Sequence, residues 1–143
     1  MRISTKCSIA LHILVLLVVF HDKKLTSEIL ARSAGCNPVV IRNILGSLKK
    51  AGIVDVHRGT GGASLCMKPE EITIWTVFKA VDPMPLEELI GMHPSPSPLC
   101  PVGRNIYTLL EKPYHIVGNS VKEAMESYTL QQMLDEYESI PGK

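Results

Sequence analysis

The sequence lacks closely spaced cysteines. Its four cysteines, at positions 7, 36, 66 and 100, are separated by 29, 30 and 34 residues. The short spacings that preform a zinc or cluster site within one segment are therefore absent. Four cysteines in a chain of this size are also too sparse for a secreted, disulfide-stapled domain. We expect reduced thiols in a cytoplasmic protein and no metal site.

The sequence also lacks a membrane span and an enzyme motif. Its apolar run at residues 9–20 contains His12, and it is shorter than the roughly 20 residues that a bilayer-spanning helix needs. The run follows basic residues, as in a signal peptide, but no small-x-small cleavage pattern comes after it. Neither a GxxxxGKS/T phosphate loop nor a Ser/His/Asp order is present. We therefore expect a buried first helix and no enzyme, although a small membrane-anchored protein stays an alternative.

The two halves of the chain carry opposite charge. Residues 1–68 contain ten Lys/Arg against three Asp/Glu, a net charge of +7, whereas residues 69–143 carry −6. A basic half suits a polyanion, because neutralised phosphates release condensed counterions. Lysine-rich helix surfaces produce the same asymmetry without nucleic acid, so the charge is a hint only.

Capping and stop residues divide the basic half into three helices and a hairpin. The helices end near Phe20, Gly35 and Gly52, and their capping residues are Ser4 or Thr5, Thr26 and Asn37. A tight glycine-containing turn between the last two is typical of a helix-turn-helix. Residues 53–57 and 63–67 then predict two strands around a glycine-rich turn, which is a wing. A fourth helix is expected from Glu70 to about Val81.

The second half predicts a long helix after an irregular segment. Residues 83–101 contain six of the ten prolines, which disfavour a helix. From Val102 an apolar stripe extends over about seven turns to Tyr128, with a kink or break expected at Pro113. A domain this small cannot cover such a stripe, so we expect a homodimer. Thr129 caps a final helix, residues 130–137.

The predicted fold is therefore mainly α with a small β-hairpin wing. We assign residues 1–82 to a winged helix-turn-helix, 83–101 to a proline-rich sensor loop and 102–143 to dimerisation helices.

The third helix carries a candidate DNA-reading face. Its positions 41, 44, 45 and 48 are apolar and share one side, which leaves Val39, Arg42, Asn43, Gly46 and Lys50 opposite. Arginine can read guanine, asparagine can read adenine, and valine can touch a thymine methyl. Solvated polar residues would show the same pattern. The neighbouring wing tip, residues 57–62, favours DNA, because its glycines allow close approach and Arg58 suits a minor groove.

Five motifs occur together: the opening Met1–Lys6, the Leu25–Leu48 helix-turn-helix, Lys50–Val54, the Arg58-Gly-x-Gly-Gly turn and Pro69–Ile74. Jointly they resemble the Rrf2 family of bacterial transcription regulators, which includes IscR-, NsrR- and CymR-like proteins. The resemblance covers residues 1 to about 82 and continues as a pattern into the long helix. It implies a homodimer on pseudo-palindromic duplex DNA, with the N-terminal segment on the DNA backbone.

The motifs and the resemblance together predict a set of DNA-contacting residues. These are Arg2, Ser4, Thr5, Lys6, Asn37, Val39, Val40, Arg42, Asn43, Lys50, His57, Arg58, Gly59, Thr60, Gly61 and Gly62. The predicted function is a sequence-specific regulator, acting as a repressor and responding to an unknown small effector or a thiol signal.

The sensing half departs from the cluster-binding members. They place three cysteines before the long helix, whereas this chain has Cys100 alone there. His93, Asp82 or Glu87 could replace the missing ligands, but we expect no iron–sulfur cluster and a cluster-free, YwnA-like branch. Cys100 precedes a helix N-terminus, which lowers a thiol pKa and suits a redox sensor. A buried residue that seals the loop, or the nucleophile of a thiol-redox enzyme, are the alternatives.

Three further cysteines and two aromatic residues have simpler interpretations. Cys7, Cys36 and Cys66 lie within the predicted helix, turn and strand of the DNA-binding module, so we expect structural roles for them. Trp75 and Phe78 could line an effector pocket, although core packing accounts for them as well.

Overall fold

A computed structural model, which describes residues 4–59 and 61–143, shows six α-helices and one antiparallel hairpin in these ranges. The elements are α1 (Lys6–Val19), α2 (Ser27–Ala34), α3 (Pro38–Lys50), β1 (Val54–Val56), β2 (Ala63–Leu65), α4 (Ile74–Val81), α5 (Pro101–Glu126) and α6 (Leu130–Ser139). Short 3-10 turns lie at Pro69–Glu71 and Leu86–Glu88. The predicted mainly helical fold with a hairpin is confirmed.

Local capping fixes the helix-turn-helix. The Thr26 hydroxyl accepts a hydrogen bond from the Ile29 N–H, and the Asn37 side chain accepts one from the Val39 N–H at 2.8 Å. Gly35 ends α2 in the left-handed conformation at φ +71°, where glycine avoids the Cβ clash. At α1 the prediction was less accurate: Thr5 occupies the cap position, but its side chain makes no capping bond.

One hydrophobic core joins α1 to α2, α3, α4, the hairpin and α6, and we call these elements together the head. The first helix buries Ile13 and Leu14 completely, and most of its remaining apolar residues are half-buried against the same cluster. This agrees with the expected helix that is apolar on several sides. Among the described residues, none of the helices is long and apolar enough to cross a bilayer.

The fourth helix begins later than predicted. Residues 69–71 form a 3-10 turn, and α4 starts only at Ile74, with Thr73 capping it. The backbone around Thr73 is instead used in a β-bridge with Thr129. The Ile72 carbonyl accepts from Leu130 N–H at 2.7 Å, and Ile74 N–H donates to the Tyr128 carbonyl at 3.0 Å. This long-range pairing competes with helical bonding at the start of α4.

The long helix is continuous through Pro113, so proline does not break it. Leu109 and Pro113 are both exposed, and water can therefore reach the carbonyl that loses its intrahelical partner. In the first part of α5, Val102, Leu109 and Ile116 are 62%, 59% and 55% exposed. In the last part, Val121 and Met125 pack against the core.

The last helix belongs to the head by packing. Although α6 follows α5 in the chain, its Leu130 and Leu134 lie in the same core as α1 and α4. A capping box at Thr129 and Gln132 starts this helix, as the sequence predicted for Thr129.

Candidate nucleic-acid interface

The recognition helix α3 has one buried and one exposed face. Ile41, Ile44, Leu45 and Leu48 are buried, and this places the predicted reading residues on the opposite, exposed side. Val39 is 55% exposed, and Arg42, Asn43 and Lys50 are also exposed. Val40 is half-buried against the core, so it offers less surface than predicted. Asn37 is exposed, but its side-chain oxygen already caps α3.

Arg42 is held by an acidic residue of α2. Its Nη2 lies 2.7 Å from Oε1 of Glu28, and both side chains are more than half exposed. A pair of this kind contributes about 0–1 kcal/mol to stability, so its larger effect is on where the guanidinium points. Sequence reasoning missed Glu28. The sequence shows Glu28 only as an acidic residue in the first turn of α2. No sequence pattern indicates that residues 28 and 42 are in contact.

The wing is a short hairpin with an unusual tip. Val54, Asp55 and Val56 pair with Leu65, Ser64 and Ala63, and His57 N–H donates to the Gly62 carbonyl at 3.0 Å. The His57 Nε2 also lies 3.2 Å from the Ser64 hydroxyl. Arg58 and Gly59 follow in exposed positions. Predicted contact residue Thr60 lies outside the described residues.

The wing tip requires glycine for two reasons: its backbone has positive φ angles, and a neighbouring side chain lies close to one of its Cα atoms. Gly59, Gly61 and Gly62 have φ values of +78°, +71° and +86°, in the region that L-residues avoid. A Cβ on Gly61 would lie 3.1 Å from Cε of Lys24. The Lys24 side chain therefore packs along the wing, and it adds a cation to the tip that the sequence analysis did not select.

The recognition helix and the wing enclose a basic cleft. This cleft, of about 240 Å³, is lined by Ser27, Arg42, Leu45, Gly46, Lys49, Val56 and Arg58. Three of these side chains are cationic and come from separate positions along α3 and the wing. Such a cluster attracts phosphates and leaves Arg58 at the wing side of the cleft.

The N-terminal segment lies beside α3. Lys6 shares a small cleft with Asn43 and Ser47, which places its cation next to the exposed face of α3. Ser4 and Thr5 are exposed as well. The Ser4 N–H and hydroxyl both donate to Oδ2 of Asp82, at 3.3 Å and 2.7 Å. Predicted contact residue Arg2 lies outside the described residues.

The four cysteines are free thiols that differ in burial. Cys7 is buried, and burial together with the nearby Asp82 carboxylate raises its pKa to about 11. Cys36 is half-buried and Cys66 is exposed, so packing does not account for Cys66. Over the described residues, no group of three or more His, Cys, Asp or Glu side chains is arranged to hold a metal.

Cys100 is exposed at the start of α5, so it does not seal the loop. Its Sγ accepts from the Gly103 N–H at 3.5 Å and serves as the helix cap. Backbone N–H groups of Gly103 and Val102 donate to this sulfur and lower the pKa of the thiol. The arrangement favours the thiolate, which is the nucleophilic form. Of the other proposed ligands, Asp82 is bonded to Ser4, and the His93 ring packs edge-on against Tyr107.

Comparison with known proteins agrees with this architecture. The family model described as Rrf2, an iron-dependent transcriptional regulator, matches residues 3–136. The chain is 36% identical over 133 residues to YwnA of Bacillus subtilis, which is described as an HTH-type transcriptional regulator. This match covers 93% of the chain and 97% of YwnA.

Solved structures show the same fold. A protein described as DNA-binding superimposes with a TM-score of 0.71 at 32% identity, covering 90% of this chain and 98% of that one. The cysteine regulator CymR of B. subtilis gives a TM-score of 0.64 at 20% identity, covering 95% and 98%. The predictions of a winged-helix fold and of a DNA-binding regulator rather than an enzyme are confirmed. The chain belongs to the Rrf2 family of transcription regulators.

Proposed function

We propose that this chain is a sequence-specific repressor that binds a pseudo-palindromic operator as a homodimer in the cytoplasm. The single observation that carries the proposal is the basic cleft formed by Arg42, Lys49 and Arg58. In this arrangement α3 enters the major groove, where Arg42 and Asn43 meet base edges. The wing then reaches the neighbouring minor groove with Arg58.

The remaining predicted residues have supporting roles in this proposal. Lys6 and Lys50, at the first turn of α1 and the last residue of α3, bind phosphates and position the protein without reading bases. The N-terminal Arg2, Ser4 and Thr5 extend that contact along the DNA backbone. The glycines of the wing let its backbone approach the groove closely.

The homodimer is proposed to form through α5. Val102, Leu109 and Ile116 expose apolar surface on the first part of this helix, and an equivalent helix of a second copy would bury it. Residues 1–82 then act as the DNA-binding unit, 83–101 as the sensor loop and 102–143 as the dimerisation segment. In this scheme α6 anchors α5 to the head through Leu130 and Leu134.

The proposed signal acts at the loop before α5. The Cys100 thiolate would attack a peroxide oxygen, forming a sulfenic acid and releasing hydroxide. Because the sulfur caps α5, its oxidation changes the start of that helix, and a change that favours one dimer geometry alters DNA affinity. A bound cluster is not part of the proposal. Cys100 is the loop's single cysteine, and the described side chains do not converge on a metal.

The decisive experiment is a mobility-shift assay on duplexes from upstream of the protein's own gene. We expect saturable binding to one duplex that a scrambled duplex of equal length does not compete away at moderate salt. Absence of sequence-specific binding under both reducing and oxidising conditions would overturn the proposal. Peroxide treatment should change the affinity of the native protein, and Cys100→Ser should abolish this response.

A further inference from the structure

A second concave site lies between α4, the following loop and α5, and it shares no lining residue with the basic cleft. This groove, of about 340 Å³, is lined by Trp75, Phe78, Lys79, Asp82, Pro83, Met84, Pro85, Leu86, Asn119 and Lys122. Its volume is at the lower end of the range of small-molecule pockets. None of its residues belongs to the predicted DNA-contacting set.

The floor of the groove is apolar and aromatic. Phe78 is buried in the core, and the half-buried Trp75 ring stacks on it with centroids 5.9 Å apart. At the opposite side, Leu86 approaches α5 closely at Gly118, where a Cβ would lie 3.3 Å from the leucine. The walls are thus fixed by packing, and the indole keeps an accessible surface.

The polar groups of the groove favour an anion. Lys79 on α4 and Lys122 on α5 supply two ammonium groups, and Asn119 supplies an amide. The Lys122 Nζ lies 5.3 Å from the centroid of the Trp75 ring, with Glu126 at 3.9 Å from the same nitrogen. The one lining carboxylate described, Asp82, is bonded through Oδ2 to Ser4. A groove that combines an aromatic floor with two lysines in its lining suits a flat molecule with a single carboxylate.

We propose that this groove binds a small aromatic carboxylate. Its ring packs on Trp75 and its carboxylate pairs with Lys79 and Lys122. Charge-assisted hydrogen bonds of this kind are about twice as strong as neutral ones, and the ring adds apolar burial. The carboxylate thereby distinguishes this ligand from neutral aromatic compounds.

The position of the groove also connects it to the DNA-binding surface. Asp82 lines the groove and accepts two hydrogen bonds from Ser4, which precedes α1 and Lys6. A ligand that moves Asp82 therefore shifts the N-terminal segment beside α3. This regulatory consequence rests on the proposed function, whereas ligand binding itself does not.

Trp75 is the single tryptophan of the chain, so its fluorescence reports on the groove directly. The test titrates the full-length protein with sodium benzoate and, separately, with benzyl alcohol as the uncharged analogue. We expect saturable quenching by benzoate and at least about tenfold weaker binding of benzyl alcohol. Equal responses to both compounds, or no saturable response to benzoate, would overturn the proposal.

Variants locate the site. Lys79→Gln should weaken benzoate binding by about tenfold. The control is Lys112→Gln, which removes an exposed lysine of α5 outside the groove and should leave benzoate affinity unchanged. Lys122→Gln disturbs the Trp75 emission itself, so its affinity is measured by calorimetry. Equal affinities of wild type, Lys79→Gln and Lys122→Gln would contradict the assignment.

Ser4→Ala tests the connection to DNA. This variant should bind benzoate with unchanged affinity, while benzoate should no longer alter its operator affinity. If the wild-type protein binds benzoate but no operator, the proposed function fails and the ligand site stands. If benzoate alters operator affinity in Ser4→Ala as it does in the wild type, the route through Asp82 is wrong.

Discussion

Arg58 offers the sharpest test of the proposed DNA-binding mode. Among residues 4–59 and 61–143, its side chain makes no hydrogen bond or ion pair, and it is exposed at the wing. Removing it therefore deletes no hydrogen bond or ion pair among the described residues, and Arg58→Ala should change the free energy of unfolding by less than about 0.5 kcal/mol. Any loss of DNA affinity then arises at the interface.

The expected size of that loss follows from the number of wings engaged. An arginine in a groove contributes about 1–3 kcal/mol to specific binding, or about 5- to 140-fold in affinity. A homodimer presents two wings, so the loss in the dimer approaches about 2–6 kcal/mol if both arginines contact DNA. Arg42→Ala should reduce the free energy of specific binding by a similar amount, but at a different base position, because Arg42 lies on α3 and not on the wing.

Quantitative mobility shifts or fluorescence anisotropy measure this effect, with thermal unfolding as the folding control. Arg104→Ala is the matched variant, because it removes the same side chain from α5, away from the cleft. Operator binding by Arg58→Ala within twofold of wild type would refute a wing in the groove. An equal loss on operator and scrambled duplexes would assign Arg58 to a phosphate instead.

Three further predictions concern stability and thiol chemistry. Leu134→Ala should lower the free energy of unfolding by about 2–5 kcal/mol, because Leu134 is 7% exposed in the core; a change below 1 kcal/mol in urea denaturation would place α6 outside the head. Gly61→Ala should raise the free energy of the native wing conformation by about 1–2 kcal/mol. It should weaken operator binding more than Gly91→Ala, whose Cβ meets nothing within 4 Å and which lies outside the basic cleft; equal binding of the two variants would contradict this. Under limiting iodoacetamide near pH 8, peptide mass spectrometry should show that Cys100 is alkylated before Cys7. The reason is that the pKa of Cys100 is lowered, whereas that of Cys7 is raised to about 11. If Cys7 is modified first, the head opens readily and the expectation is wrong.

Local signals predicted the elements whose bonds are local. The caps Thr26 and Asn37 and the stop at Gly35 act within a few residues, and the structure has them in those roles. The predicted start of α4 was wrong because the backbone groups of Ile72 and Ile74 form hydrogen bonds with residues more than fifty positions later. No local sequence pattern encodes such pairing. Pro113 suggested a kink or break, yet an exposed proline in a long helix leaves only one carbonyl to solvent.

The candidate site shows the same division. The exposed face of α3 followed from helical periodicity, since buried positions determine which side is left. The sequence did not predict roles for Glu28 and Lys24, because these roles depend on tertiary contacts. Glu28 contacts Arg42, and Lys24 lies against the wing at Gly61. The structural role predicted for Cys66 does not come from burial, because this residue follows a three-residue strand of the wing and is exposed.

The packing of α6 constrains how a signal can reach the DNA. Its leucines and the Thr73–Thr129 bridge tie the end of α5 to the core of the head. The first part of α5, with Cys100 at its start, is exposed by contrast. In the proposed dimer, a signal at Cys100 would therefore act where α5 meets a second copy, and it would change the angle between the two heads. A ligand beside Asp82 acts within one head instead, through Ser4. The two proposed inputs would reach the operator by separate routes, so Cys100→Ser and Ser4→Ala should each abolish one response and preserve the other.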